Sequence, residues 1–482
     1  MSHFPISDPV LFAIGSIADE AKMEAYVVGG YVRDALLERG PHKDIDITVL
    51  GDGVGFASLV ASQFDGARLA VYEQFRTAAL QVADHTIEIV GARKESYRKT
   101  SRNPITESGT LEDDLSRRDF SINALAVSLN ETSFGEMVDL FGGLEDLEHH
   151  ILRTPLEPEQ TFSDDPLRMM RAARFASQLE FHVDGYARDA MLHMAERIKI
   201  ITQERITDEF LKIMASPKPS IGIKILFETG LLQYIFPEVD ELSGAELRTV
   251  GEQEYAHKDV FKHTMQVVDN MAAMTDDVWL RFAALLHDIA KPRTKQFRKG
   301  VGWTFYGHDI VGARWIEKMF RRLKLPNEAA ERVAKLVRLH MRPMALVDEG
   351  VTDSAVRRLL FEAGEDTDDL LMLCRADITS KNPRLVSRYQ RNYDIVSEKM
   401  VEVEAKDQMR AFQSPVRGEE IMALCNIPPS KTVGILKHAL EEAILDGIIP
   451  NDHAAAHRYL LEIKDAILAE YPVKEFERAR VK

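Results

Sequence analysis

Cysteine is nearly absent. Two residues, Cys374 and Cys425, stand in 482, too few for a disulfide framework or a cysteine metal site, and the scarcity fits a reducing, cytoplasmic setting. No apolar run reaches about 18 residues, which excludes a transmembrane helix and predicts a soluble chain. The start, Met1-Ser-His-Phe-Pro-Ile, lacks a basic stretch followed by an apolar one, so no secretory signal is read there. There is no internal repeat and no low-complexity tract. An excess of positive charge is missing too: 77 acidic against 61 basic residues leave a net charge of −16, which argues against a protein that coats nucleic acid non-specifically. Basic residues nevertheless concentrate at Arg93 to Lys99 with Arg102, at Arg117-Arg118, along Arg168, Arg171 and Arg174, and from Lys291 to Lys299, so local basic grooves are allowed.

With 45% hydrophobic residues the chain can bury ample core, and its length predicts two to four domains. Residues 1 to 150 read as mixed α/β, with strand-like runs at Ala25 to Val28, Asp44 to Leu50, Ala78 to Val82 and Thr86 to Val90. From about residue 155 nearly every segment has helical periodicity, punctuated by prolines such as Pro217, Pro326, Pro383 and Pro428-Pro429. The expected class is therefore α+β, a mixed-sheet head followed by a mostly helical remainder. Seams are expected near 150 to 160, 240 to 255 and 400 to 415, giving segments 1–150, 151–245, 246–400 and 401–482.

The most informative residues are Asp44 and Asp46, which follow the run from Tyr26 through Gly29-Gly30 to Arg33-Asp34 by one short helix and a turn. On a strand, side chains two apart share a face, so both carboxylates converge on one point, as a pair of Mg²⁺ ions requires. The glycines lie between an apolar β-branched run and a helix, where backbone N–H groups can approach a triphosphate unobstructed by a Cβ. Ordered in this way, the stretch resembles the polymerase-β-like head of the class II tRNA nucleotidyltransferases and bacterial poly(A) polymerases. The resemblance implies that Gly29, Gly30 and Arg33 bind the incoming triphosphate and that Asp44 and Asp46 hold the metals. A third carboxylate is expected on a neighbouring strand; Glu88 fits, because Ile87 and Ile89 alternate inward around it.

Arg117-Arg118-Asp119-Phe120-Ser-Ile-Asn123-Ala-Leu-Ala reads as a helix that turns Arg118 and Asn123 toward the head and packs Ile122 and Leu125 inward. It is similar to a family motif whose second arginine reaches the nucleotide phosphates or sugar, a task suited to a permanently charged fork. In Asp164-Asp165-Pro-Leu-Arg168, residues 165 and 168 are three apart and project from one helical face. A carboxylate accepts from an exocyclic amine and a guanidinium donates to a ring acceptor, so the pair accepts C or A and refuses U and G. The family has this template as an acidic pair followed by an arginine, usually Glu-Asp first, where this chain has Asp164. Arg171 and Arg174 lie further along and would reach the triphosphate. The run from Ile201 to Phe210 resembles the family's neck helix, in which Glu204 and Arg205 brace the nucleotide-reading helix.

In the helical half, His263, His287-Asp288, His308, His340 and Asp377 occur in the order of the HD superfamily of metal-dependent phosphohydrolases, which this half resembles. His263, His287, Asp288 and Asp377 would ligate a divalent transition metal that activates water; His257 is a weaker candidate. Pro415 to Leu436 resembles a helix-loop-helix element in which Lys431 could meet an RNA phosphate. The function implied is template-independent addition of CCA to tRNA from CTP and ATP with Mg²⁺, with no membrane partner. The alternatives are an enzyme adding only A, poly(A) polymerase included, and an HD phosphohydrolase with a nucleotide-binding head.

Overall fold

The computed structural model describes residues 3–40, 43–72, 77–98, 101–244, 247–250, 253–256, 259–347, 352–407 and 414–472, and for 95–98, 101–105, 247–250, 253–256 and 406–407 the backbone alone. Lys99 and His257 lie outside the described residues, as does the side chain of Arg102. The chain divides into two units, Met1–Glu241 and Leu242–Lys482.

A seven-stranded mixed sheet organises the first unit. Its strands are β1 (Ala25–Val28), β2 (Asp44–Val49), β3 (Arg68–Tyr72), β4 (Thr77–Val82), β5 (His85–Gly91) and, after a separate hairpin β6 (Arg93–Arg98) and β7 (Ser101–Ser108), β8 (Leu125–Ser128) and β9 (Met137–Asp139). They lie in the order β3-β4-β5-β2-β1-β8-β9. Only β2 and β5 run parallel, with Asp46 beside Glu88 in the register. Ile45, Ile47, Ile87 and Ile89 are fully buried, on the side covered by the helix Gly53–Gln63, which packs over β2 to β5. Burying an aliphatic side chain of this size stabilises by roughly 1.5–3 kcal/mol. That burial fixes the pleat and leaves Asp44, Asp46 and Glu88 on the uncovered face.

The four strand-like runs are strands, each within a residue or so of the expected ends. The stretch from Arg117 departs from expectation: helix Leu111–Ser116 stops there, Phe120 is extended (φ −135°, ψ 150°), Ser121–Asn123 makes one 3₁₀ turn and Leu125 enters β8. Asp119 accounts for the break, since its own carboxylate takes the Phe120 amide (2.9 Å) that a continuing helix would need. Pairing of Ala126 and Val127 with Val28 and Val27 then overrides helical propensity. Ile122 and Leu125 are fully buried, as expected.

Beyond the sheet, helix Leu167–Leu179 packs against Gln203–Met214 and Pro219–Glu228. The close crossing needs Gly222, where a Cβ would meet Ser177 Oγ at 2.5 Å and the Ala173 carbonyl oxygen at 2.7 Å; with glycine there, the Gly222 amide donates to Ser177 Oγ at 2.7 Å.

The second unit is mostly helical. Val260–Ala272, Val278–Leu286, His308–Arg322, Asn327–Leu339 and Thr367–Ala376 precede a long helix, Pro383–Asp407, that ends within the stretch 400 to 415 where a seam is expected. Asp259 and Asp277 cap the first two of these by accepting from Lys262 N and from Trp279 N. Gly418–Cys425, Lys431–Leu445 and His453–Glu470 follow, with Val416, Ile421, Leu436, Leu440, Ala456 and Leu460 buried among them. Lys431 is exposed at the start of its helix. Among the described residues no helix is long and apolar enough to cross a membrane.

Candidate active site

The carboxylates come first in the chain and set the frame. Asp44 and Asp46 alternate outward between the buried Ile45 and Ile47, and Glu88 joins them because β5 lies parallel to β2 with Asp46 opposite Glu88. Desolvation raises the Asp46 carboxyl above its ordinary range; the nearby Arg118 opposes the shift and Asp44 adds to it. Glu88 is raised by desolvation and then by the Asp46 charge. Carboxylates that disfavour one another's ionisation form a hard-oxygen donor set, which fits Mg²⁺.

Beside Asp46 opens a cleft of about 650 Å³ whose lining holds eight basic side chains against five acidic ones, a positive balance inside an acidic chain. Gly29, Gly30, Arg33, Arg118, Asp165, Arg168, Arg171 and Arg174 all line it; Asp44 is not part of that lining. Gly29 is the constrained glycine. Its φ of +73° with ψ −131° suits no side chain, and a Cβ would come to 2.8 Å from Arg118 Nη1 and 3.4 Å from Asp46 Oδ2. At Gly30 the nearest atom, Arg33 Nη2, is 3.7 Å away.

Each guanidinium is held in place. Arg33 makes two 2.7 Å bonds to Asp34 and one of 2.6 Å to Asn123 Oδ1. Asn123 Nδ2 donates at 2.9 Å to Asp119 Oδ1, and Arg171 Nε donates at 2.6 Å to Asp119 Oδ2. Burial would raise the Asp119 carboxyl, but Arg171 and Asn123 override it and hold the group far below the ordinary aspartate range. Arg118 leans on the fully buried Asp114 at 3.3 Å, and its Nε has no hydrogen-bond partner among the described residues. Arg174 lies 3.0 Å from Glu209 Oε2 as an ion pair without hydrogen-bond alignment. The guanidiniums of Arg33, Arg171 and Arg174 surround the Phe175 ring at 4.9, 5.3 and 4.3 Å from its centroid.

Asp165 and Arg168 reach the same cleft by a different route from the one expected. Asp165 is not on the helix; it is extended between Pro158–Asp164 and Leu167–Leu179, and its Oδ1 accepts from Leu167 N at 3.0 Å. Pro166 enforces that break, because proline disfavours helical backbone in the residue before it. Arg168 donates to the carbonyl oxygens of Thr161 (3.2 Å) and Arg117, which uses two of its five N–H groups. Arg205 supports Asp165 from 3.9 Å. Glu204 is exposed, and the carboxylate that braces the reading helix is the buried Glu209. Sequence reading assigned no role to Asp114, Asp119, Phe175 or Glu209; the spacing of Asp114 three and four residues before Arg117 and Arg118 was the one local signal.

A second cluster lies in the other unit, built from helix ends. His263 sits in the first turn of Val260–Ala272, His287-Asp288 just past Val278–Leu286, His308 at the start of its helix, and His340 and Asp377 just past theirs. His287, Asp288 and His340 are buried to within a few per cent. His263 Nε2 lies 2.9 Å from Asp377 Oδ1 and 3.3 Å from His287 Nε2. Burial opposes charge on His287, yet Asp288 and Asp377 push its pKa up to about 10, so these carboxylates favour a positive charge at their focus. Imidazoles with carboxylates suit a divalent transition metal.

Family models match the chain in three places: the poly A polymerase head domain over residues 25–153, a probable RNA and SrmB-binding site of polymerase A over 180–242, and the HD domain over 260–381. An A-adding tRNA nucleotidyltransferase of Deinococcus radiodurans is 34% identical over 69% of this chain and 75% of its own length. A CC-adding tRNA nucleotidyltransferase of Thermus thermophilus is 31% identical over 88% of this chain and 90% of its own. The crystal structure of the Bacillus stearothermophilus CCA-adding enzyme in complex with CTP superposes with a TM-score of 0.63 at 22% identity, covering 96% of this chain and all of that one, a likeness of fold.

Proposed function

This chain belongs to the class II tRNA nucleotidyltransferase and poly(A) polymerase family, with its head, RNA-binding and HD domains, and within that family we propose that it adds the 3′-terminal CCA to tRNA from CTP and ATP without a nucleic-acid template. The observation that carries this reading is the meeting, in one cleft, of phosphate-binding guanidiniums, the Asp46 carboxylate and the Asp165/Arg168 pair. Asp44 and Asp46 would hold Mg²⁺, with Glu88 as the third carboxylate. Bound there, Mg²⁺ would activate the primer 3′-hydroxyl and stabilise charge on the pentavalent phosphorus. Gly29 and Gly30 let the backbone approach the phosphates, while Arg33, Arg118, Arg171 and Arg174 neutralise them. Asp165 Oδ2, with Arg205 3.9 Å away, would accept the amine of C or A, and the remaining Arg168 N–H groups would donate to the ring acceptor beside it.

The second reading, addition of A alone, is favoured by the Deinococcus relative, whose name is that of an A-adding enzyme. Incubation with Mg²⁺ and tRNA ending either before its CCA or at CC, given CTP, ATP or both, separates the two. Ordered incorporation of both nucleotides is expected; incorporation of A only, onto tRNA already ending in CC, replaces the first reading with the second. The His/Asp cluster supports a further phosphohydrolase activity on cyclic or terminal phosphates at an RNA end. Its test is phosphoester hydrolysis of 2′,3′-cyclic AMP, abolished in His287→Ala.

A further inference from the structure

Charge is spread unevenly along the chain, and one run in the second unit opposes the whole. From Lys291 to Lys324 ten residues are lysine or arginine and two, Asp309 and Glu317, are acidic, so this run carries +8 in a chain of net −16. The run forms a hairpin, Gln296–Arg298 with Gly302–Thr304, that leads directly into the helix His308–Arg322. Carboxylates meet two of its cations, Asp288 at Lys291 and Glu317 at Arg321, each at 2.5 Å. Arg298, Lys299, Arg314 and Lys318 are exposed.

Aromatic rings organise the hairpin. Phe297 and Trp303 are opposite one another in its register and stack edge to face at 5.3 Å. Lys295 Nζ lies 4.5 Å from the Trp303 ring centroid, and the Arg298 guanidinium 5.0 Å from that of Tyr306, a side chain 69% exposed. An aromatic face attracts a cation through its quadrupole and so holds it in position without neutralising it. On the helix that follows, Gly312, Ile316, Met319 and Phe320 are buried. Ile310, Arg314, Lys318 and Arg322 are exposed at intervals of four, which aligns them in one row, one residue per turn and about 6 Å apart along the axis.

We infer that the hairpin and this helix row form a docking surface for the phosphate backbone of the acceptor RNA. A chain of net −16 repels a polyanion at long range, so it needs a local concentration of positive charge to capture and orient one. The segment matched by the RNA-binding family model, 180–242, does not supply it, since it holds seven basic residues against eleven acidic ones. Cations recurring once per turn meet a backbone whose charges also recur, and the open ring of Tyr306 offers an unpaired base a surface to stack on. Contacts of this kind carry no sequence information, as suits a surface that holds RNA while another site reads the nucleotide. The inference rests on the reading of RNA as the substrate.

The test compares the full-length protein with a variant carrying Arg298→Gln, Arg314→Ala and Lys318→Ala, using a tRNA transcript that ends at CC. Alanine is the strongest helix former, so the two helix positions tolerate it. Equilibrium binding is measured between about 0.05 and 0.2 M salt. The variant should bind about ten-fold more weakly near 0.1 M salt, and its slope of log affinity against log salt should be smaller by about two to three. KM for the tRNA should rise with Kd, while KM for ATP and kcat at saturating tRNA stay unchanged. A second variant, Arg298→Lys with Arg314→Lys and Lys318→Arg, keeps the charge and should keep both affinity and slope. Unchanged affinity and slope in the first variant would overturn the proposal and leave the surface to an acidic protein. Binding that depends on the three cations, in a chain that extends no RNA, would uphold the surface while sinking the proposed reaction.

Discussion

In the first unit's cleft, the groups that hold functional side chains come mostly from far along the chain: Asp119 for Arg171, Asn123 for Arg33, the Arg117 carbonyl for Arg168, Glu209 for Arg174. In the second unit, His287, His308 and His340 are each oriented by a carbonyl three residues back. The cleft keeps an excess of cations partly in water, ready for a polyanion. The buried cluster gathers imidazole rings and two carboxylates, a donor set for a metal. Ligand binding in the first unit is thus tied to long-range pairing, so damage there should cost stability and activity together. Ring orientation in the second is local, and only the convergence of rings depends on packing.

The sharpest way to break this contrast is to remove one carboxylate from each centre. Asp46→Ala should lower nucleotide incorporation by roughly a thousand-fold or more, the order seen when a group stabilising transition-state charge is lost, while Mn²⁺ retained by the second unit stays unchanged. Asp288→Ala should do the reverse, abolishing retained Mn²⁺ and leaving incorporation within about twofold, a change too small to reflect a lost catalytic group. Incorporation assays beside metal analysis of both variants check the pair.

Asp119→Asn tests the coupling of stability to binding. Breaking this buried pair should destabilise the first unit by about 3 kcal/mol in chemical denaturation and raise KM for the nucleotide. The carboxyl's folded pKa is depressed, so its stabilisation is complete above about pH 4, the ordinary aspartate value, and is lost as the pH falls through the folded one. Stability of Asp119→Asn should accordingly fall less steeply in acid than that of the unaltered chain.

Smaller effects separate the glycines. Gly29→Ala forces a side chain into a backbone conformation that costs about 1–3 kcal/mol and crowds Arg118, so weaker nucleotide binding is expected. Gly30→Ala, with 3.7 Å of clearance, should stay within about 0.5 kcal/mol. Equal losses in the two would assign the phosphate approach to both backbones. Smallest of all, Glu204→Ala should leave KM and stability unchanged within about 0.5 kcal/mol, whereas Arg205→Ala loosens Asp165 and shifts the preference between ATP and CTP.

Where sequence reading succeeded, the signal was local. Alternation of Asp44, Ile45, Asp46 and Ile47 gave the strand and the shared face of its carboxylates; so did Ile87, Glu88 and Ile89. Arg117 to Ala126 misled because helical spacing was legible while the capture of the Phe120 amide by Asp119 and the pairing of β8 with β1 were not. The helical face expected for Asp165 and Arg168 failed one residue from Pro166, although both side chains line the cleft.

The residues themselves determined the kinds of chemistry available: carboxylates at strand spacing, permanently charged guanidiniums, an adjacent His-Asp, and too little cysteine for a disulfide framework or a cysteine metal site. Tertiary structure decided which of them meet. Glu88 stands beside Asp46 because β5 lies parallel to β2, Asp119 reaches Arg171 across 52 residues, and Asp288 meets His263, His287 and His308 because helix ends converge on it. Strand and helix periods are set within a few residues, where side chains and backbone interact directly. Sheet order and helix crossing depend on which distant apolar faces bury one another, and no local spacing records that choice.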